Sequence, residues 1–392
     1  GIGANDVANA MGTSVGSKAL TLKQAIIIAA IFEFLGAYLA GGEVTSTIRK
    51  GIVDPQIYAT DLNIFIIGMM SSLLAAGSWL YIASNKGWPV STTHSIVGAI
   101  VGFVVITKGI DAVSWSKVGE IASSWITSPL IAGILAFFIY LSAQKFIINA
   151  KNQVAAAIFY IPFYSFFVTG VIAQVIARKG LSHIGLSWSD NEILVFTALM
   201  ALLAGGLTSA VLRLKKESIS SKGGIEYAFG ILMIVTACAM AFAHGSNDVA
   251  NAIGPVAAII SVVNSNDLSS TAPINPVVLL LGGAGIVFGL ATLGYKVIKT
   301  VGEKITKLTP SLGFSAEMAA ASTVVFASYL GFPISTTHTL IGGVIGVGLA
   351  NGAKDLDWSS VYRIFASWII TIPVGAVLTI LFYVLLRVMF GV

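Results

Sequence analysis

The chain has 392 residues, of which 56% are hydrophobic and 10% charged, with a mean hydropathy of +0.91. So large an apolar excess excludes an ordinary globular domain in water, and the solvent it implies is lipid. The net charge of +5 does not point to nucleic acid, because the basic residues stand in short loops between apolar runs, as membrane orientation requires.

The string G-x-N-D-V-A-N-A-x-G stands at 3–12, followed by apolar segments at 22–42, 62–84, 90–107 and 118–142. Segments 153–177 and 191–213 come next and read as a helical hairpin, with a short connection at 215–224. After the run 225–243 the same ten-residue string returns at 245–254. Segments 249–263, 277–298, 315–330, 334–350 and 360–390 complete the chain. Pro89-Val90-Ser91-Thr92-Thr93-His94 likewise returns as Pro333-Ile334-Ser335-Thr336-Thr337-His338, and Gly98 and Gly102 return as Gly342 and Gly346. The halves are therefore collinear repeats: an N-terminal repeat at 1–150, an inserted hairpin and cytoplasmic connection at 151–224, and a C-terminal repeat at 225–392. The pairs Trp115/Trp358 and Trp125/Trp368 follow the same spacing and read as interfacial anchors or packing residues. Cys238, the one cysteine, lies in an apolar run and reads as a small core residue.

A bilayer core of about 30 Å needs about 20 helical residues, and the runs that begin at Pro89, Asn247 and Pro333 are shorter. They read as half-helices, which membranes tolerate only where the break is buried in protein or lines a wet cavity. Suppose 62–107 and 311–350 are re-entrant hairpins and each N-D-V-A-N string belongs to one broken spanning helix. The loops holding Lys18 and Lys23, Lys145 and Lys151, 213–222, 296–307 and Lys354 then share one face. With Arg363, that face carries 14 of the 22 basic residues, against six opposite: Arg49, Lys50, Lys108, Lys117, Arg178 and Lys179. The richer face is cytoplasmic. The first hairpin then enters from outside and the second from inside, with both termini outside. The predicted fold is an all-α polytopic membrane protein of two inverted-topology repeats with broken helices and re-entrant helical hairpins. Only Gly1 and Ile2 precede the first string, whereas 225–243 precedes the second, so we expect an N-terminal helical piece to be missing.

The chemistry lies in the repeated strings. Asn5, Asp6 and Asn9, like Asn247, Asp248 and Asn251, place one carboxylate and two amides within about one helical turn. Hard oxygen ligands with a single negative charge suit a small monovalent cation. Ser91, Thr92 and Thr93, and Ser335, Thr336 and Thr337, follow a proline at what should be a helix N-terminus. Hydroxyls, free backbone N–H groups and the positive end of the helix dipole make an anion site there. Two such termini meeting at the midplane between two aspartates would hold a tetrahedral oxyanion with its neutralising cations. The absence of arginine from these strings fits an anion that must be released.

Competing readings exist for each. Asp6 and Asp248 would serve as helix caps, but capping does not call for the whole string twice. His94 and His338 read as orienting their loops, and His244, with no counterpart to compare in the first half, reads as structural. Glu33 and Glu317 are costly in apolar runs unless paired or hydrated, which places them on an ion pathway. A hydrolase built on Ser91 or Ser335 fails, because a serine and a histidine three residues apart on one helix start form no triad. We therefore expect no enzyme and no catalytic residue. A channel is disfavoured by two dissimilar ion sites within inverted repeats.

G-A-N-D-V-A-N-A and G-S-N-D-V-A-N-A, with P-V-S-T-T-H and P-I-S-T-T-H, resemble the inorganic phosphate transporter family, the sodium/phosphate symporters, over nearly the whole chain. G-T-S-V-G-S at 12–17 and the run around Glu33 are similar to its sodium-coupled branch. Other members are proton coupled and carry phosphate as a metal complex, and some relatives carry sulfate. The resemblance implies sodium at the Asp6, Asn9, Asp248 and Asn251 sites with Asn5 and Asn247 beside them, and phosphate on the two Ser-Thr-Thr triplets. Glu317 in E-M-A-A-A-S is similar to a glutamate important for transport. The short connection at 215–224 departs from the long cytoplasmic loop of animal members.

The expected function is import of inorganic phosphate by sodium symport across a plasma (inner) membrane, alternating access around a midplane site. The expected partners are phosphate, sodium and membrane lipid, with no cofactor beyond the co-transported sodium ions. The apolar exterior is compatible with a homodimer. Proton-coupled (metal-)phosphate or sulfate symport is the alternative. Two sodium ions with a dianion would cross almost electroneutrally, whereas a monoanion would leave one net charge, worth about 2.3 kcal/mol per 100 mV.

Overall fold

The structure, a computed structural model, describes residues 1–180, 188–265, 268, 274–304, 308–353 and 356–392. Lys307 and Lys354 lie outside the described residues, as do the side chains of Asn9, Arg49, Lys50, Ser265, Val301, Glu303, Lys304, Ser360 and Arg363. The chain runs through α1 (Ile2–Asn5), α2 (Val7–Gly16), α3 (Leu22–Ala40), α4 (Gly42–Gly51), α5 (Leu62–Asn85), α6 (Thr92–Lys108) and α7 (Trp115–Ala143). Then come α8 (Gln153–Val175), α9 (Asp190–Leu214), α10 (Lys216–Ser220), α11 (Gly224–Ser265), α12 (Pro276–Gly289), α13 (Tyr295–Lys304), α14 (Pro310–Tyr329), α15 (Thr336–Ala350) and α16 (Trp358–Phe390). Among the described residues the sole strand-like feature is an isolated bridge between Val53 and Val113. Backbone groups in lipid must be satisfied within the chain, which helices achieve locally.

Local sequence marks the helix starts. Thr21 and Gln24 form a capping box on α3, and Ser189 and Glu192 form one on α9. Pro310 occupies the first turn of α14, where its missing N–H costs nothing. Eight of the described helical stretches are long and apolar enough to cross a membrane. Leu62–Asn85 is one of them by length, yet it turns back at 86–91 into α6. The turn at 330–335 does the same between α14 and α15.

Thr93, at the start of α6, donates to the carbonyl of Ile334 in the second turn at 2.9 Å, so the two hairpin tips meet inside the protein. Each hairpin packs on the long helix of the opposite half. Gly98 and Gly102 of α6 lie on Ile372 and Ala376 of α16, and Gly342 and Gly346 of α15 lie on Pro129 and Gly133 of α7. Small residues let these backbones approach closely in the absence of a hydrophobic drive between helices. The contacts are reciprocal, as inverted repeats require. Helices α8 and α9 pack together, with Gly205 against Pro162 and a hydrogen bond from Thr208 to Ser165 at 2.9 Å.

One expectation is corrected. The run from Asn247 is no half-helix: it continues α11, which is unbroken over 42 residues. Only the first string breaks, at Asp6, between α1 and α2. In α11 the polar side chains find partners on other helices, as Ser246 and Asn247 do on Ser328 of α14, so the backbone need not open to satisfy them.

Candidate functional site

Ser91 and Ser335 cap α6 and α15, each hydroxyl accepting from the backbone N–H of the histidine three residues on, at 3.2 and 3.3 Å. That fixes the next two threonines at the helix starts. Thr92 donates to Asp6 Oδ2 at 2.5 Å and Thr336 to Asp248 Oδ2 at 2.7 Å, so each hairpin tip is tied to the aspartate of its own half. The tips are also cross-linked between halves. Thr337 reaches Asp6 Oδ1 at 3.4 Å and the carbonyl of Val90 at 3.5 Å. Asn251 donates to the hydroxyls of Thr92 and Thr93 at 3.1 and 3.2 Å. The carboxylate, amide and hydroxyl groups of Asp6, Thr92, Thr93, Asp248, Asn251, Thr336 and Thr337 therefore form one buried cluster.

Asn5 and Asn247 act chiefly as clamps on the hairpin turns. Asn5 donates to Ser84 Oγ at 3.2 Å and the Trp88 carbonyl at 2.9 Å, and accepts from the Val90 N–H at 3.0 Å. Asn247 donates to Ser328 Oγ and the Phe332 carbonyl, both at 3.1 Å. Asn5→Ala strips the Trp88 carbonyl and the Val90 N–H of a buried partner. It should cost about 2–4 kcal/mol of stability, read as a lower thermal unfolding midpoint in detergent. An unchanged midpoint would remove the clamp.

The largest departure from the sequence reading is His244. Its Nδ1 lies 2.6 Å from Glu33 Oε2 and its Nε2 2.8 Å from Asp248 Oδ2, all three fully buried. Gly245 permits this: a Cβ there would stand 2.2 Å from the Glu33 carbonyl oxygen, so only glycine lets α11 approach α3 closely enough. Asp6, His244 and Asp248 each offer a ligand atom within 4.8 Å of the others. The first half has no such relay. Ile2 stands where the repeat would put His244, and Gly3 rests on Ile286 as Gly245 rests on Glu33. Ile2 and Ile286 share an apolar cluster instead. The sequence signal was a histidine four residues before Asp248 on one helix face.

Glu317 is a second asymmetric group. It accepts from Thr13 and Ser14, both at 2.5 Å, and from Thr236 at 2.7 Å. Three hydroxyls stabilise a buried carboxylate that has Leu73 as its counterpart at the hairpin offset. Four buried oxygens of the site remain without hydrogen-bond partners: Glu33 Oε1, Asn247 Oδ1, Asp248 Oδ1 and Asn251 Oδ1. Three of them project from little more than one turn of α11, as a hard cation's ligand set does.

His94 and His338 fulfil the orienting role. Their Nδ1 atoms meet the carbonyls of Trp368 and Trp125, each at 3.1 Å, which fastens each hairpin to the opposite long helix.

Residues 2–379 match the phosphate transporter family. A protein of Haemophilus influenzae named as a phosphate permease is 49% identical, over 100% of this chain and 94% of its own length. Inorganic phosphate transporter 2-1, chloroplastic, of Arabidopsis thaliana is 44% identical, over 97% of this chain and 69% of its own length. A solved structure described as the sodium-dependent phosphate transporter superposes with a TM-score of 0.91 at 38% identity, covering 99% of this chain and 95% of that one. Motifs, architecture and relatives agree: the chain belongs to the phosphate transporter family, as a multi-pass membrane transporter and not an enzyme.

Proposed function

We propose that this transporter imports inorganic phosphate by symport with sodium ions across a plasma (inner) membrane. The observation that carries the sodium assignment is the row of partnerless buried oxygens on Asn247, Asp248 and Asn251. Bare oxygens inside a protein are costly, and a monovalent cation compensates them without hydrogen-bond donors. The first site uses Asp6 and Asn9, with Asn5 holding the adjoining turn. Phosphate sits on the starts of α6 and α15, where backbone N–H groups and the hydroxyls of Ser91, Thr92, Thr93, Ser335, Thr336 and Thr337 face it. The likeness to the 38% identical sodium-dependent phosphate transporter supports the same coupling.

Binding is cooperative in this arrangement. Thr92 and Thr336 now donate to the aspartates; a cation on each carboxylate would release those hydroxyls to the anion. Sodium thus prepares the phosphate site, and phosphate in turn reduces the cost of burying the cations. Alternating access follows if the hairpins rock as a pair while their tips hold the midplane site. Glu33 and Glu317 lie along the ion path on either side.

The test is radiolabelled phosphate uptake into proteoliposomes under an inward sodium gradient, with potassium replacing sodium, and with excess unlabelled sulfate. Uptake that needs sodium and survives sulfate is expected; uptake indifferent to sodium overturns the coupling. One observation favours a proton as the coupling ion. Buried His244 stands 2.6 Å from the Glu33 carboxylate and 2.8 Å from that of Asp248, a row of three titratable groups able to hold and pass a proton. Uptake driven by a pH gradient without sodium would establish that alternative.

A further inference from the structure

Behind the hairpin tips lies a cavity of about 850 Å³ between α7, α15 and α16, within the range of small-molecule sites. Its inner wall is made by His94, Trp125, His338 and Trp368, all at least nine-tenths buried. The rings are packed together: His338 stacks on Trp368 at 3.3 Å, His94 lies 3.8 Å from Trp125, and the two imidazoles are 4.5 Å apart. Each of the four carries one polar atom without a hydrogen-bond partner: His94 Nε2, His338 Nε2, Trp125 Nε1 and Trp368 Nε1. Four orphaned polar atoms in one buried wall point to an occupant.

The chemistry of that occupant can be read from the wall. A carbonyl only accepts, so the contacts of both Nδ1 atoms with backbone carbonyls place the ring protons there. Both Nε2 atoms are then bare acceptors, while the two indole N–H groups can only donate. A transition metal would take the imidazoles, but it would leave the indoles unpaired, and no acidic residue lines the cavity to balance a cation. An occupant that both donates and accepts, and is uncharged, fits all four atoms. The rest of the lining is hydrocarbon, and the rim at Ile126, Leu130, Phe138 and Ile369 is exposed on the lipid-facing surface.

We propose that this cavity binds a single-chain fatty acid from the bilayer in its protonated form. The carboxyl O–H donates to one imidazole Nε2, its carbonyl accepts from an indole N–H, and the chain leaves along α7 and α16 into lipid. His94 and His338 each follow directly on the threonines of a hairpin tip, so the head group rests on the backs of both tips. The bound acid therefore favours the tip arrangement described above and slows its rocking. The site does not depend on which ion drives uptake, so its failure would leave the functional reading untouched.

The test uses the full chain in proteoliposomes with a diazirine-bearing palmitic acid, photolysed and mapped by peptide mass. Saturable labelling of α7 or α16 is expected. Palmitic acid should compete about tenfold better than its methyl ester, which lacks the O–H and leaves an imidazole acceptor unpaired. Leu130→Trp, which fills the cavity from the lipid side, should abolish the label. Trp125→Phe, which removes one donor without filling space, should weaken it, giving a second variant if the first folds poorly. Equal competition by the ester or by hexadecane, labelling that persists in Leu130→Trp, or no saturable label at all would overturn the proposal. The last result would leave bound water as the partner of these atoms.

Discussion

Asp248→Asn should lower sodium-driven phosphate uptake by about a hundredfold or more, with the protein still inserted and monodisperse. Breaking a buried charge pair by removing one partner costs about 3–5 kcal/mol, and each 1.36 kcal/mol is a tenfold change. The Asp248 carboxylate receives Thr336 and faces His244, which in turn faces Glu33. Losing its charge therefore disturbs the proposed cation site, a hairpin tip and the Glu33–His244–Asp248 row together. Asp6→Asn removes the equivalent proposed cation ligand but leaves Asp248 in contact with His244, so its loss should be smaller. The comparison is made by initial rates against sodium concentration. Equal losses in the two variants would show that the Glu33–His244 relay contributes nothing to coupling. Combining Asp248→Asn with Glu33→Gln should be markedly non-additive, because the two carboxylates act through one imidazole.

Gly346→Val is the second substitution with a large expected effect, and it acts through packing alone. A Cβ at that position would stand 2.1 Å from the Gly133 carbonyl oxygen, with no flexible side chain to give way. Gly342, one turn earlier, is as tight against Pro129 at 2.2 Å. Overpacking a dense contact costs about 1–3 kcal/mol when neighbours can shift, and here the neighbour is backbone of a long helix. Valine should therefore push α15 off α7, lower the thermal midpoint strongly and abolish uptake. Gly285→Val on the lipid side, where a Cβ meets nothing within 4 Å, should leave the midpoint unchanged. A wild-type midpoint in Gly346→Val would show that the hairpin does not seat on α7 as described.

Much of the architecture is legible in the chain because duplication doubles each weak signal. One Pro-x-Ser-Thr-Thr-His is an ordinary N-cap; two at corresponding places, each with two glycines at helical spacing, already identify paired hairpins. The glycines even mark the packing face, although not which helix they face. Asn247 reads as a break because membrane polar strings often sit at unwound backbone, whereas here Ser328 and Phe332 accept from its side-chain amide on a continuous helix. The clamp role of Asn5 and the relay through His244 could not be seen for the same reason. Glu33 and His244 are 211 residues apart, and only the close crossing of α3 and α11 at Gly36 and Gly245 joins them. Composition and spacing report what a helix can offer, and tertiary contact decides who receives it.

The reciprocal seating of each hairpin on the opposite half bears on what kind of object the duplication made. Cut at 215–224, neither piece would be a smaller transporter. Each would keep its own aspartate and tip but lack the long helix on which that tip lies, and would present bare glycine faces to lipid. The unit that can work is therefore the clasped antiparallel pair, and one chain carrying both copies holds the clasp closed. Within that shared frame the two copies differ in chemistry. One copy has isoleucines at the crossing and the other a glutamate and a histidine, so a molecule with symmetrical bones carries a chemically one-sided interior.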